Sequence, residues 1–472
     1  MPKKPQSSQK VILLVTCLTS FLTPFTISSI NIALPLISAE YQLDAVVMGW
    51  VATAYLLSTA VLLVPMGRLG DILGRKRIYL YGVGVFTAAS LLCALSTSAA
   101  MLLGFRVLQG IGAAMVFGTA TAILTSAFPP EQRGRILGIN VATVYLGLSL
   151  GPFLGGFLTQ TFGWRSIFLF NVPIGLINVA AIFWKIKGEW AEARGEKFDF
   201  AGSAIYSLAL VATIYGLSRL PDISYAWIIL AGALAFVFFI AWESRVSSPV
   251  INIGLFRYNA VFSLSNLAAF IHYSATFPVS FLLSLYLQYI KALSPWSAGL
   301  VLLAMPATQA IFSPVSGRLS DRIEPRILAS SGMALSCLGL VFFMFISNQT
   351  EMALIIAALI VLGFGFALFS SPNTNAVMSS VEKKFYGIAS GTLATMRITG
   401  QMFSMAVTLL IFALVIGRTQ IVPENYPQFI TSSRVVFAVF AGLCVAGTLA
   451  SLARGNIRSN SRDLEPGRVK QP

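Results

Sequence analysis

The pentapeptide GRLGD at Gly67–Asp71 returns 250 positions later as GRLSD at Gly317–Asp321, each copy set between long apolar runs and followed by Arg residues. A short basic motif that recurs at this distance among apolar runs restricts the chain to a duplicated membrane protein. The background fits lipid as solvent: 56% of residues are hydrophobic, 10% are charged and the mean hydropathy is +0.80. A water-soluble core of 472 residues has no need of such values.

Apolar runs long enough to cross about 30 Å of hydrocarbon recur along the chain. Fourteen are expected, over approximately 11–37, 46–66, 78–97, 100–126, 135–159, 166–184, 200–218, 224–242, 260–289, 296–316, 327–346, 352–379, 388–416 and 434–453. They are continuous and rich in Leu, Ala, Ile and Gly rather than alternating, so the fold class is an all-α polytopic membrane protein and not a transmembrane barrel. The run after Lys3, Lys4 and Lys10 is too long for a signal peptide and is taken as span 1. Cys17, Cys93, Cys337 and Cys444 all fall within apolar runs and read as small packing residues, with no metal or disulfide set among them.

With both termini on the cytoplasmic side, the cytoplasmic segments hold 25 of the 32 basic residues and the outer loops hold five, Arg165, Arg219, Lys291, Arg418 and Arg434. That bias accounts for the formal net charge of +15 as topogenic charge spread over many loops, which excludes nucleic acid as a partner. The remaining two cations, Arg106 and Arg397, lie within spans 4 and 13. All 17 acids fall in loops or at span ends.

The duplication extends beyond one loop. GRILGINVATVYLG at Gly134–Gly147 matches GIASGTLATMRITG at Gly387–Gly400, with Gly134, Gly138 and Gly147 recurring at an offset of 253. Nearly equal offsets at two places mean a repeat in parallel orientation, and an interval near 250 leaves room for an extra helix pair between the halves. The expected organisation is therefore a cytoplasmic N-terminus at 1–10, a six-helix half at 11–184, a connector with two inserted helices at 185–259, a second six-helix half at 260–453 and a cytoplasmic tail at 454–472.

These segments resemble the major facilitator superfamily, in particular its fourteen-span drug:proton antiporter branch, over about residues 11–455. GRLGDILGRKR at Gly67–Arg77 is similar to the superfamily's signature between spans 2 and 3. LLGFRVLQGIGAA, with Arg106, Gln109, Gly110 and Gly112, is similar to the span 4 signature of proton-driven members. GLSLGPFLGG at Gly147–Gly156 is similar to the antiporter signature of span 5, and NIALP at Asn31–Pro35 and FGWRSIFLFNVPIG at Phe162–Gly175 are further matches.

The resemblance implies a secondary transporter, not an enzyme. It would export small amphipathic molecules by alternating access across the cell membrane in exchange for protons, as a monomer and with no cofactor. A facilitator or importer of a neutral or anionic solute on the same fold is the alternative. A polytopic membrane enzyme would need acids or metal ligands gathered at one membrane face, and the outer acids Glu40, Asp44, Asp222, Glu351 and Glu424 are scattered.

The cytoplasmic gate is expected from Gly67, Asp71, Gly74 and Arg75, and from Gly317, Asp321 and Arg322 in the repeat. Asp71 can meet a helix N-terminus or pair with Arg133 or Arg135, or the segment can be a turn with topogenic Arg75, Lys76 and Arg77. Small residues at Gly147, Gly151, Pro152, Gly155 and Gly156 permit close helix packing, and the resemblance implies that this face seals the two halves against each other. The family's central cavity implies candidates at Thr26, Asn31, Arg106, Gln109, His272, Thr276, Asn373 and Arg397. Any single hydroxyl among them could instead bond its own helix backbone.

Ionisable groups within the bilayer are costly and tend to be kept for function, so Arg106, Arg397 and the lone histidine, His272, stand out. His272 and Arg106, with Asp71 at the loop, are the candidates for proton coupling; packing is the plainer role for His272, and a structural role is open for Arg397. Where many fourteen-span relatives carry an Asp in span 1 this chain reads TISSINIALP, with Thr26 in that place. A cavity with arginines and no carboxylate favours neutral or anionic amphiphiles over cations.

Overall fold

The computed structural model describes residues 9–220, 222–246, 250, 253–320, 322–382 and 385–455. Fourteen helices in them are long and apolar enough to cross a membrane. They are Gln9–Tyr41 (α1), Ala45–Leu73 (α2), Arg75–Ala94 (α3), Ala99–Ala127 (α4), Pro130–Phe162 (α5), Arg165–Lys185 (α6), Phe200–Arg219 (α7), Ala226–Glu243 (α8), Ala260–Leu285 (α9), Pro295–Ser320 (α10), Pro325–Phe343 (α11), Met352–Ser379 (α12), Tyr386–Val415 (α13) and Tyr426–Ala453 (α14). A turn of π-helix, Tyr286–Ile290, extends α9, and a short helix at Ile253–Tyr258 precedes it.

Side chains set the starts of several helices. Asp44 Oδ1 accepts from the Val46 and Val47 amides at 2.8 Å each, Asp199 caps α7 through Gly202 at 2.8 Å, and Asn259 caps α9 through Phe262 at 2.9 Å. Such contacts satisfy amides that the first turn leaves unpaired.

The helices outrun the apolar runs. Span 2, expected at 46–66, continues to Leu73, so GRLGD forms the last turns of α2 rather than a loop. Gly74 alone makes the turn into α3, at φ +121°, a conformation that glycine reaches without a Cβ penalty. GRLSD likewise lies in the end of α10 as far as Ser320, and Asp321 lies outside the described residues.

The repeat is visible in the packing. In the first six helices α1 lies on α5, α2 and α3 on α4, and α3 on α6; the same partnerships return as α9 on α13, α10 and α11 on α12, and α11 on α14. The two bundles meet along α2 with α13 and α5 with α10, again a symmetric pair. α7 and α8 pack on each other, and α7 docks against α2 and α13. α8 presents Trp227, Leu230, Leu234, Val237 and Phe238 outward, as a helix bathed in hydrocarbon does. The face of the molecule carrying the α2–α3 turn and the α6–α7 connector is called the basic face below, and the opposite one the far face.

Candidate functional site

Between the bundles, in the half of the molecule nearer the basic face, a cavity is lined by Ser20 of α1, Phe117 and Thr121 of α4, Asn140 and Tyr145 of α5, Tyr273 of α9, Thr374 of α12 and Arg397 of α13. Its polar groups are organised. Ser20 donates to Asn140 Oδ1 at 2.7 Å, and the Tyr145 and Tyr273 hydroxyls lie 2.7 Å apart across the interface of the two bundles. Arg397 stands beside the Tyr273 hydroxyl, with its guanidinium 5.8 Å from the Phe117 ring centre. Arg397 is the charged residue of this lining, and no Asp or Glu joins it among the described residues. The cavity volume is about 60 Å³, too small for a drug-sized molecule in this conformation.

Of the eight expected cavity residues, Arg397 is the one this lining contains. Arg106 turns into the first bundle instead. Its Nε donates to the Val51 carbonyl at 2.9 Å and its Nη1 to Gln109 Oε1 at 2.6 Å, and its guanidinium lies 4.5 Å from the Tyr55 ring centre. Gln109 passes the chain on to Ser90 Oγ at 2.7 Å. Thr26 accepts from Asn171 of α6 at 2.9 Å, again within the first bundle.

In the second bundle, Thr276 bonds the His272 carbonyl at 2.8 Å. Asn373 accepts from Arg454 at 2.7 Å and donates to the Ser265 carbonyl at 3.1 Å. Arg454, expected at the head of the tail, is buried where α9, α11 and α12 converge, and also donates to the Pro325 carbonyl at 2.8 Å. His272 is fully buried, stacked on Phe369 at 4.0 Å between ring centres and edge-on to Phe366 at 4.8 Å. Neither of its ring nitrogens has a hydrogen-bond partner among the described residues.

Toward the far face the bundles are sealed. Ser284 donates to the Asn31 carbonyl at 2.8 Å and Gln288 to the Ile32 carbonyl at 3.1 Å, which ties the row of polar residues on α9 to NIALP of α1. The Asn31 side chain itself is buried without a partner among the described residues. The small residues of α5 divide into two faces. Gly147, Gly151 and Gly155 lie against α1 within the first bundle, where a Cβ on Gly155 would sit 2.7 Å from Ser29 Cβ. Gly156 and Pro152 instead meet Pro295 and Gly299 of α10, and these make the contact between bundles. Gly151, expected at that seal, packs on Ser28 because steps of four residues keep it in line with Gly147 and Gly155.

At the basic face Asp71 pairs with neither Arg133 nor Arg135. Across the Gly74 turn, Asp71 Oδ1 at the end of α2 accepts from Arg75 Nε at the start of α3 at 2.7 Å. Arg75 also bonds Ser126 and the Ala122 carbonyl of α4, and holds both oxygens of Glu192 at 2.8 and 3.0 Å. Arg133 bonds the Phe128 carbonyl at 3.2 Å. The acids that meet the motif's arginines come from the connector, which folds back on it: Glu189 accepts from the Lys76 and Arg77 amides at 2.7 and 3.2 Å, Glu196 pairs with Arg68, and the Ala193 amide donates to the Asp71 carbonyl at 3.0 Å. Burial raises the Glu192 carboxyl, but the Arg75 hydrogen bond and charge, aided by Ser126 and Arg133, outweigh it and hold the group below the usual glutamate range. In the repeat, Gly317 approaches Ser371 of α12, and Arg322 begins the turn into α11.

Asn140, Tyr145 and Tyr273 are the cavity residues that the sequence reading passed over. The 253-residue offset carries Arg397 to Val144 and Leu393 to Asn140, and all four line the cavity, but it singles out none of the three.

Fourteen apolar helices in two like bundles around a shared polar cavity define a polytopic membrane transporter and not an enzyme. The chain belongs to the Major Facilitator Superfamily, whose profile matches residues 16–404 and 265–469. It is 28% identical to the riboflavin transporter RibZ of Clostridioides difficile (strain 630), over 94% of this chain and 96% of that one. It is 32% identical to the multidrug resistance protein Stp of Mycobacterium tuberculosis, over 85% and 75% of the two chains. The structure of a bacterial homologue of the human lysosomal transporter Spinster, inward-facing and unoccupied, superposes with a TM-score of 0.68 at 16% identity, covering 98% of this chain and all of the other.

Proposed function

We propose that this protein is a fourteen-span exporter of small amphipathic molecules, neutral or anionic, that works by alternating access in exchange for protons. The observation that carries the reading is the cavity between the bundles, where Arg397 faces hydroxyls and an amide with no carboxylate to neutralise it. A guanidinium with spare donors in a low-dielectric cleft attracts anionic or strongly accepting groups and repels cations. The aromatic faces of Phe117, Tyr145 and Tyr273 would receive the apolar part of such a molecule.

The reading places the basic face in the cytoplasm, in keeping with the bias of Lys and Arg toward that side. The far-face seal at Asn31, Ser284 and Pro152 then closes the outer side, and the cavity loads from the cytoplasm. Kinship with a protein named for multidrug resistance supports export. For proton coupling His272 is the favoured group, because it adjoins Tyr273 of the cavity wall while Arg106 is bound within its own bundle and Asp71 is ion-paired.

Kinship with a riboflavin transporter favours a second reading, a facilitator or importer of a planar neutral solute. Proteoliposomes with an imposed pH step separate the two. Export in exchange for protons predicts pH-driven movement of anionic and neutral amphiphiles that Arg397→Ala weakens for the anions. Riboflavin movement indifferent to the pH step supports the second reading, and a preference for cationic dyes over matched anions overturns the assignment of substrate charge.

A further inference from the structure

A larger cavity, of about 320 Å³, lies at the far face, outside the transport path described above. Its lining brings together three parts of the chain: Asp44, Val46, Val47 and Trp50 from the start of α2, Tyr215, Ser218 and Arg219 from the end of α7, and Arg418 from the turn after α13. This is where the first bundle, the inserted pair and the second bundle meet, beside a hydrogen bond of 2.9 Å from the Ala45 amide to the Thr419 carbonyl.

Its charges have work left over. Arg219 lies near the Tyr215 and Tyr225 rings, at 5.2 and 5.8 Å, and its guanidinium has no hydrogen-bond acceptor among the described residues. Arg418 has Asp222 in its neighbourhood and likewise no acceptor among the described residues. Asp44 spends Oδ1 on the α2 amides, which leaves Oδ2 as an acceptor at the cavity. Two guanidiniums and one carboxylate oxygen, edged by Trp50 and Tyr215 and floored by Val46 and Val47, form a site that is cationic on one side, accepting on another and apolar below. Its volume sits at the lower end of the roughly 300–1,000 Å³ of small-molecule sites.

We propose that this cavity holds the headgroup of a phospholipid from the far-face leaflet, with Arg219 and Arg418 on the phosphodiester and Asp44 receiving a hydrogen bond from the headgroup's terminal ammonium or hydroxyl. Guanidinium forks match phosphate oxygens in pairs. A lipid is the fitting source of the phosphate because Trp and Tyr gather at the headgroup level and the neighbouring α8 is apolar outward, with Trp227 73% exposed. The chemistry selects phosphatidylglycerol and phosphatidylethanolamine, and it disfavours phosphatidylcholine, whose quaternary amine has no proton for Asp44. Since Arg418 belongs to one bundle and Asp44 to the other, the site is whole only while the far face is closed, and an occupying lipid stabilises that state.

The test uses the full-length protein in a neutral detergent, titrated with dihexanoyl-phosphatidylglycerol, dihexanoyl-phosphatidylethanolamine, dihexanoyl-phosphatidylcholine or inorganic phosphate while thermal unfolding is followed. The two donor-bearing lipids are expected to raise the midpoint in a saturable manner, and phosphatidylcholine and phosphate to raise it distinctly less at the same concentration. Arg219→Gln with Arg418→Gln should weaken the apparent affinity by about tenfold or more. Equal protection by phosphatidylcholine, or by free phosphate, overturns the proposal, as does a titration unchanged in the double variant. If that variant does not fold, the order of the four compounds on the wild type alone decides.

Discussion

Tyr145 of α5 and Tyr273 of α9 join the two bundles through a single contact between hydroxyls, 2.7 Å long, at the wall of the central cavity. Each ring also packs on Phe366 of α12, at 6.1 and 5.5 Å between centres. A contact of this kind is made and broken when the bundles move. Its removal is therefore expected to change the balance between conformations more than the fold. Tyr145→Phe and Tyr273→Phe should each shift the substrate KM by a few-fold, and the double variant should match Tyr273→Phe, which already loses both the bond to Tyr145 and the contact with Arg397. Additive effects in a transport assay would refute the shared bond.

Arg106 and Arg397 should separate cleanly. Arg106 is fully buried and bonded to Val51 and Gln109, so Arg106→Ala removes charge-assisted hydrogen bonds of about 1.5–3 kcal/mol each and strands Gln109. Loss of folded protein, read by thermal unfolding and size-exclusion chromatography, is the expected result. Arg397→Ala should fold normally and lose transport of anionic compounds selectively. A stable Arg106→Ala with altered substrate charge preference would reverse these roles.

Gly156 and Gly151 offer a second contrast on one helix. A side chain at Gly156 meets the Pro295 backbone of the opposite bundle, whereas one at Gly151 meets Ser28 in its own. Gly156→Leu is expected to block far-face closure, so that a cysteine placed near Pro295 reacts with an impermeant maleimide in all conditions. Gly151→Leu should impair packing of α1 on α5 and lower the unfolding midpoint while leaving that reactivity low.

The connector latch carries a pH dependence with a definite sign. The Glu192 carboxyl is held below its ordinary value, so its contribution is fully present above that ordinary value and fades as pH falls through the lowered one. Its side chain is 66% exposed, which limits the contribution to about 1 kcal/mol or less after screening. Acidification across that window should loosen the connector, measurable as smaller protection factors at residues 189–196 once the intrinsic pH dependence of amide exchange is divided out. Glu192→Gln should lower those protection factors at neutral pH and flatten their response to acid.

The fold was legible because lipid writes itself into sequence: continuous apolar runs and the topogenic Arg and Lys residues mark each span, and the two GRLxD copies mark the repeat. The cavity was less so. Polar residues in a membrane helix have two destinations, another helix of the same bundle or the space between bundles, and composition does not tell them apart. Thr26, Arg106 and Asn373 went to the first, bonding Asn171, Gln109 and Arg454. Arg397 went to the second. The acids of the connector, Glu189, Glu192 and Glu196, show their role only once the chain has folded back on Arg68, Arg75 and Lys76.

The unbroken run of α2 from Asp44's cap to Gly74 has a mechanical consequence. Its 29 residues make a rod of about 44 Å, with the Arg75–Glu192 latch at one end and the Arg219–Arg418 cavity at the other. A tilt of about 10° pivoting at the latch displaces the other end by about 8 Å, more than enough to part Ala45 from Thr419. Under the lipid proposal made above, a helix of this length, bent only where Pro65 interrupts its hydrogen bonds, would act as a lever arm between the charge latch on one surface and a headgroup on the other.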